Sequence, residues 1–319
     1  MNITVLGCGR WGTLLGWYAQ SIGHNVLIWG RSSSNHLSYL KENRKNEYLE
    51  LDEKTKLSTS LEESIEFSNY IIISINSQNL RDLCKNLNNL DLSGKVFILA
   101  MKGIEKHTGM RLTQVVLDEI KQDIKIAIWV GPSHVQDLVK GVPNCMVISS
   151  SNIDVTKKVI EKFNSNLIRL YIGQDLIGNE IGAAAKNVMG ITAGMLDGLN
   201  YSSLKGALIA RGSREISRLV RAMGGNELTV YGLSHIGDYE ATLFSKHSHN
   251  RAFGEAFIRK EKFSKLAEGV STVESLILLG KKYDVSMPIC EAVYSIVIEG
   301  ADPKTILQDL FLRSTKYEF

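Results

Sequence analysis

The stretch ITVLGCGRWGTLL, from Ile3 to Leu15, decides the fold. A β-branched apolar run ends in Gly7, Gly9 and Gly12, spaced G-x-G-x-x-G, and an amphipathic segment follows at once. Each glycine has its own reason: the first makes the tight turn, the second lets backbone approach a pyrophosphate, and the third lets helix and strand pack closely. The helix entered there offers a positive dipole end and unpaired N–H groups to an anion. The bare pattern is common; its place between a strand and a helix is what makes it a dinucleotide-site signature.

The same rhythm continues outward from this unit. Short apolar runs at Asn2–Leu6, Asn25–Trp29, Tyr70–Ile75, Val96–Ala100, Ile124–Trp129, Cys145–Ser149 and Ile168–Tyr171 alternate with amphipathic stretches, as in a parallel sheet with crossover helices. The run YIIISI lacks polar alternation, which suits a strand covered on both faces. Ahead of it, Ser60 and Glu63 have the spacing of a capping box. Beyond Asp175 helical periodicity takes over, as in Leu204–Met223 and Val270–Tyr283. The expected fold class is α/β: an N-terminal Rossmann-type, mostly parallel sheet domain over residues 1–178, then an all-helical C-terminal domain over residues 179–319.

Composition narrows the function classes. The 319 residues are 44% hydrophobic and 22% charged, ordinary for a globular protein, and the net charge of +3 supplies no broad basic field for nucleic acid. Cys8, Cys84, Cys145 and Cys290 are scattered without a CxxC pair, so reduced core thiols are expected rather than a disulfide frame or zinc site. No basic leader with a long apolar core opens the chain, and no run of about 20 apolar residues follows, so a cytoplasmic protein without a membrane span is expected.

Several side chains fall where ligands of open α/β sheets bind, beyond the carboxyl ends of strands. After the second strand, WGRSSSN puts Arg31, Ser32, Ser33 and Ser34 where an NAD site usually has a carboxylate. A guanidinium with hydroxyls suits a 2′-phosphate, which favours NADP(H) and leaves NAD(H) open. Lys102 and Gly103 follow one strand; Gly131 and Ser133 follow the next. Further on, GLSHIGDYEATLFSKHSHNRAFGEAF gathers Asp238, Thr242, His247, Ser248, His249, Asn250 and Arg251, donors apt for a phosphate. His247 and His249 stand two apart with no clustered carboxylate or cysteine, so no metal site is expected.

Lys186 poses a separate question. It is the one charged residue between Glu180 and Asp197, in IGAAAKNVMGITAGMLDG, and it shares a four-residue period with Gly182, Gly190, Gly194 and Gly198. Each glycine costs about 1 kcal/mol of helix propensity, so something must approach this helix closely, either another helix or a ligand. A lysine there is either snorkelling to water or working.

Taken in order, ITVLGCGRWGT, WGR, MKGIE, GPS, GAAAKN, IGD, SHNRAFG, AEGVST and MPICEAVY span essentially the whole chain. Together they resemble the bacterial NAD(P)-dependent glycerol-3-phosphate dehydrogenase family. The resemblance implies reversible reduction of dihydroxyacetone phosphate to sn-glycerol 3-phosphate, for glycerophospholipid synthesis, in a homodimer. It makes Lys186 the catalytic lysine and general acid. Lys102, Gly131, Ser133, Asp238, Thr242, Ser248, His249, Asn250 and Arg251 would line the substrate site, and Arg10, Trp11, Arg31, Ser32, Lys102, Val135, His249 and Glu268 would join the three loop glycines around the cofactor. Room for substrate and nicotinamide is expected at Gly182 and Gly190. Two departures stand out: His249 replaces the family's usual arginine, and His134–Val135 replace Phe-Ala after GPS. Arg251 or a protonated His249 would then carry the phosphate contact. The alternatives are a 2-hydroxy acid or ketopantoate-type reductase, which would want a carboxylate pocket, and a cofactor-binding sensor without turnover.

Overall fold

Strand β1 (Asn2–Leu6) is buried from Ile3 onward because neighbours flank it on both edges. In chain order the others are β2 (Asn25–Trp29), β3 (Lys56–Ser58), β4 (Tyr70–Ile73), β5 (Val96–Leu99), β6 (Lys125–Val130), β7 (Asn144–Ser149) and β8 (Ile168–Gly173). They form one sheet in the order β3-β2-β1-β4-β5-β6-β7-β8, parallel except at the β6–β7 pair. The order reverses direction between β1 and β4, and ligands of such sheets bind at that switch point. This computed structural model describes residues 1–132, 134–315 and 317–318.

Two details of the sheet were not legible in the sequence. β3 is three residues long and carries Lys56 and Ser58, too short and too polar to show a strand period; it exists because it pairs with β2, Leu27 facing Lys56. β4 ends at Ile73 rather than Ile75, since Ser74 turns away after its N–H reaches the Leu6 carbonyl at 2.8 Å. The capping box is relayed as well: Ser60 Oγ accepts from Glu63 N at 3.1 Å, whereas the Glu63 carboxylate takes the Ser58 hydroxyl, which in turn accepts from Ser60 N at 3.0 Å.

Helices α1 (Arg10–Ser21), α2 (Asn35–Asn43), α3 (Leu61–Phe67), α4 (Leu80–Leu87), α5 (Leu112–Glu119), α6 (Val135–Val139) and α7 (Ile153–Phe163) alternate with the strands. Their apolar faces close a core around Trp129, whose ring meets Tyr18 edge-on at 6.1 Å and Phe163 at 5.3 Å. Burying an aromatic of this size removes roughly 200 Å² from water, a few kcal/mol each.

By internal contacts the chain forms two units, Met1–Lys102 with Arg111–Glu180, and Gly103–Met110 with Ile181–Phe319. The second holds most of α8 (Leu176–Gly198), then α9 (Lys205–Ala222), α10 (His249–Arg259), α11 (Glu268–Lys282), α12 (Pro288–Val297) and α13 (Pro303–Phe311), with no strand among its described residues. The short segment from Gly103 belongs with it because Ser275 Oγ reaches the Glu105 carbonyl at 3.2 Å and Lys106 pairs with Glu274 at 3.0 Å.

The glycine row of α8 is answered by the protein itself. A Cβ at Gly190 would lie 2.9 Å from Thr242 and 3.2 Å from Asn250; at Gly194 it would fall on the main chain of Arg251; at Gly198 it would lie 2.7 Å from Ile258. Gly254 of α10 reciprocates against the Ile191 carbonyl. The expected room for substrate and nicotinamide at Gly182 and Gly190 is therefore filled by side chains of His235, Thr242 and Asn250. Small residues bring α10 and the loop ahead of it onto the helix that carries Lys186.

Candidate active site

In the sheet unit, the loop after β1 is shaped by backbone constraints. Gly7 has φ +127°, a left-handed value that disfavours any side chain, and a Cβ there would strike the Ser74 carbonyl. A Cβ at Gly12 would strike the Gly7 carbonyl, so α1 packs directly on its own entry turn. Gly9 is different: among the described residues, nothing lies within 4 Å of its Cβ position. It is also the residue before α1, which has no side-chain cap and no acidic residue in its first turn. Open space in front of uncapped helix N–H groups fits a dinucleotide's pyrophosphate.

Around this loop, Arg10 turns its guanidinium to Gln136 Oε1 at 2.7 Å and over the Tyr48 ring at 4.8 Å. Trp11 is half-buried against the sheet core. Arg31 and Ser32 are exposed in the turn after β2. That turn is tied to the glycine loop by Ser34, whose Oγ lies 3.3 Å from Cys8 Sγ and caps α2 through Leu37 N. Val135 opens α6 with its side chain buried in the core. At the ends of β5 and β6, Lys102 Nζ donates to the Gly131 carbonyl at 2.8 Å, so the two post-strand loops named from sequence meet. Ser133 lies outside the described residues.

In the helical unit, Lys186 is 6% exposed and Asp238 fully buried. Lys186 Nζ lies 2.9 Å from Asp238 Oδ2 and donates to Thr242 Oγ1 at 2.6 Å. Thr242 spends its own proton on the Asp238 carbonyl at 2.7 Å, so it meets the lysine as an acceptor. A single turn of π-helix, Glu240–Phe244, carries Thr242 there, a geometry frequent at functional sites. Lys186 is not snorkelling: its ammonium is held inside by a carboxylate and a hydroxyl oxygen.

Ser248 caps α10, its Oγ accepting from Arg251 N at 3.3 Å. His249 and Asn250 form the helix's first turn. Asn250 Oδ1 accepts from Gly269 N at 2.9 Å and pins the start of α11, whose first residue is Glu268. Arg251 faces carboxylates, with Nε on Asp197 Oδ2 at 2.7 Å and a second contact to Glu255 at 3.3 Å. Lys205 shares the same Asp197 oxygen at 2.7 Å. Burial alone would raise the Asp197 carboxyl; hydrogen bonds from Lys205 and Ser202 and the charge of Arg251 outweigh it and hold the pKa below the usual range. Among the described residues, no three histidine, cysteine or carboxylate side chains gather as a metal site.

One buried group beside Lys186 has almost no signature in the sequence. His235 and Tyr239 stand four apart in SHIGDYE, and both are buried next to Asp238. The only sequence signal is that i, i+4 pair, in a stretch that Gly237 interrupts.

Residues 2–156 match the N-terminal family model of NAD-dependent glycerol-3-phosphate dehydrogenase, and residues 175–308 match the C-terminal one. The chain belongs to this family. The glycerol-3-phosphate dehydrogenase (NAD(P)+) of Pelodictyon phaeoclathratiforme is 34% identical over 331 residues, covering 100% of this chain and 99% of its own. That of Clostridium botulinum, strain Alaska E43, is 35% identical over 329 residues, at 99% of both chains. The 2.1 Å crystal structure of glycerol-3-phosphate dehydrogenase from Coxiella burnetii superposes with a TM-score of 0.90 at 28% identity, over 98% of this chain and 99% of that one. The resemblance drawn from the motifs is thereby established over the full length, as are the parallel-sheet and helical architecture and dependence on NAD(P).

Proposed function

We propose that the chain reduces dihydroxyacetone phosphate reversibly to sn-glycerol 3-phosphate, with Lys186 as proton donor. The observation that carries this reading is the buried Lys186–Asp238–Thr242 cluster. When bound, a reduced nicotinamide would supply the hydride for the ketone carbon. Negative charge then grows on the ketone oxygen, where Lys186 Nζ stabilises it and delivers a proton; in the reverse direction the neutral amine removes the hydroxyl proton. Asp238 Oδ2 offsets the cost of burying the ammonium and orients it, and Thr242 fixes a second N–H direction.

Candidates for the substrate's phosphate are Lys102, Gly131 and Ser133 in the sheet unit, and Ser248, His249 and Asn250 in the helical unit. The missing arginine's role falls to His249 or Arg251, the latter with its guanidinium on Asp197 and Glu255. A KM for the phosphorylated substrate that rises as the pH passes upward through the imidazole range supports a cationic His249; a flat KM contradicts it. The exposed Arg31 and Ser32 favour NADP(H), and Gly9 with the uncapped first turn of α1 would hold its pyrophosphate. Glu268, Trp11, Arg10 and Val135 keep their cofactor assignments. We assign domains to residues 1–178, apart from the Gly103–Met110 segment that groups with the helical unit, and 179–319, with a homodimer and the cytoplasm; no described helix is long and apolar enough to cross a membrane. The deciding assay is NADPH oxidation with dihydroxyacetone phosphate. Turnover with this substrate and none with 2-keto acids supports the reading; cofactor binding without turnover refutes it.

A further inference from the structure

A hydrogen-bonded series runs through the protein behind the Lys186–Asp238 pair. His235 is fully buried; its Nδ1 lies 2.8 Å from the Gly182 carbonyl, and its Nε2 lies 2.6 Å from Tyr239 Oη. Tyr239 Oη is 3.4 Å from Ser213 Oγ on α9. Gly182 stands one helical turn before Lys186, and the main-chain N–H of Asp238 donates to the carbonyl of His235 at 3.0 Å. His235 thus joins the two sides: its ring bonds the helix that carries the ammonium and Tyr239, the residue after Asp238, while its main chain belongs to the turn that carries the carboxylate. We propose that His235, keyed by Tyr239, is a positioning residue for Lys186: it locks the Gly182–Lys186 turn of α8 to the Asp238 turn and so sets the alignment of the reacting ammonium.

The chemistry of the ring supports the assignment. A carbonyl oxygen only accepts, so Nδ1 carries the proton and donates to Gly182. Nε2 is then an acceptor, and the Tyr239 hydroxyl donates to it. Neither partner can be exchanged without breaking a buried bond, which leaves the imidazole one tautomer and one orientation. The groups facing the ring are Lys186, Asp238 and Tyr239, with Glu215 and Cys290 beyond the tyrosine. Burial lowers the histidine to about 4; the Lys186 charge adds to this, while the Gly182 bond and Asp238 oppose it. The ring therefore stays neutral through the working range and adds no charge to repel the ammonium. Gly182 is required by the same contact, since a Cβ there would sit 3.1 Å from the His235 Cβ.

This inference rests on Lys186 being the proton donor, so Lys186→Ala is measured beside it. In the full-length enzyme, His235→Leu is expected to lower kcat about 10- to 100-fold while the KM for dihydroxyacetone phosphate changes less than about threefold, and to displace the pH dependence of kcat. His235→Asn, whose amide can donate to Gly182, should recover most of the loss. Tyr239→Phe should cost about 2- to 10-fold. Unchanged kcat and pH profile in His235→Leu, with the loss confined to Tm, would overturn the proposal. If His235→Leu fails to fold, Tyr239→Phe decides by the same two readouts. Normal histidine variants beside a dead Lys186→Ala sink this inference alone; a fully active Lys186→Ala sinks both it and the reading beneath it.

Discussion

Replacing Gly194 by alanine tests why α8 carries so many glycines. In an unobstructed helix this change is stabilising, by up to about 1 kcal/mol, through propensity and a less disordered unfolded chain. At Gly194 the new methyl would fall on the Arg251 carbonyl and 2.8 Å from Glu255 N. Both are main-chain atoms of α10, so relief requires the two helices to part, and Gly254 on the opposite side is packed just as tightly on the Ile191 carbonyl. Overpacking of this kind costs about 1–3 kcal/mol and here exceeds the propensity gain. The expected net destabilisation is about 1–2 kcal/mol, with a drop of a few degrees in Tm. Gly206→Ala is the matched control: Gly206 is exposed in the first turn of α9 with no described residue within 4 Å of its Cβ position, so a gain of about 0.5 kcal/mol is expected. Urea and thermal unfolding followed by circular dichroism read both. A Gly194→Ala protein as stable as wild type, or stabilised like Gly206→Ala, would refute the close-packing account of the glycine row.

Lys102→Ala should raise the KM for dihydroxyacetone phosphate about 10- to 100-fold with a smaller effect on kcat, since a cation near a phosphate contributes up to about 4 kcal/mol before desolvation; steady-state kinetics with the phosphorylated ketone check it. Arg31→Ala should lower kcat/KM for NADPH about tenfold and leave NADH within a few-fold, measured with both cofactors; equal losses would deny it a role at the 2′-phosphate. The buried His235 and Glu215 give opposite pH dependences. The histidine, lowered to about 4, binds its proton only in the unfolded chain between pH 4 and 6.5, so its contribution of up to about 3 kcal/mol is complete above 6.5 and lost as pH falls toward 4. Glu215 is raised to about 7 chiefly by burial, although it accepts from Ile289 N at 2.8 Å and Cys290 N at 3.0 Å; its contribution is complete below about 4.5 and lost as pH rises through 7. Relative to wild type, Glu215→Gln should therefore gain stability from pH 4.5 to 7 and His235→Asn should gain it from 6.5 down to 4, in urea titrations across that range; parallel curves would contradict both.

Local chemistry explains what the sequence made legible. The glycine loop was readable because the strand, Gly7, Gly9, Gly12 and α1 are contiguous, and each glycine answers to an atom close in the fold or to open space. YIIISI was readable because burial on both faces removes alternation. β3 was not, because its existence depends on pairing with β2 and not on its own three residues. The attachment of the segment from Gly103 to the helical unit rests on Ser275 and Glu274, about 170 positions away, and no local signal encodes it. At Lys186 the sequence posed the right alternatives of helix or ligand. The contacts show helix and loop, and with them the carboxylate and hydroxyl that hold the lysine. His235 was hidden because its ring bonds to Gly182, 53 positions away on α8, and its other partner, Tyr239, is in turn met by Ser213 of α9.

The most direct test of the central claim is the turnover of Lys186→Ala with dihydroxyacetone phosphate and NADPH, beside NADPH affinity measured by fluorescence. Loss of the buried ammonium should lower kcat by about 10²–10⁴ while cofactor affinity stays within a few-fold. Turnover near the wild-type value, in protein that still binds NADPH, would show that the proton reaches the substrate from some other group.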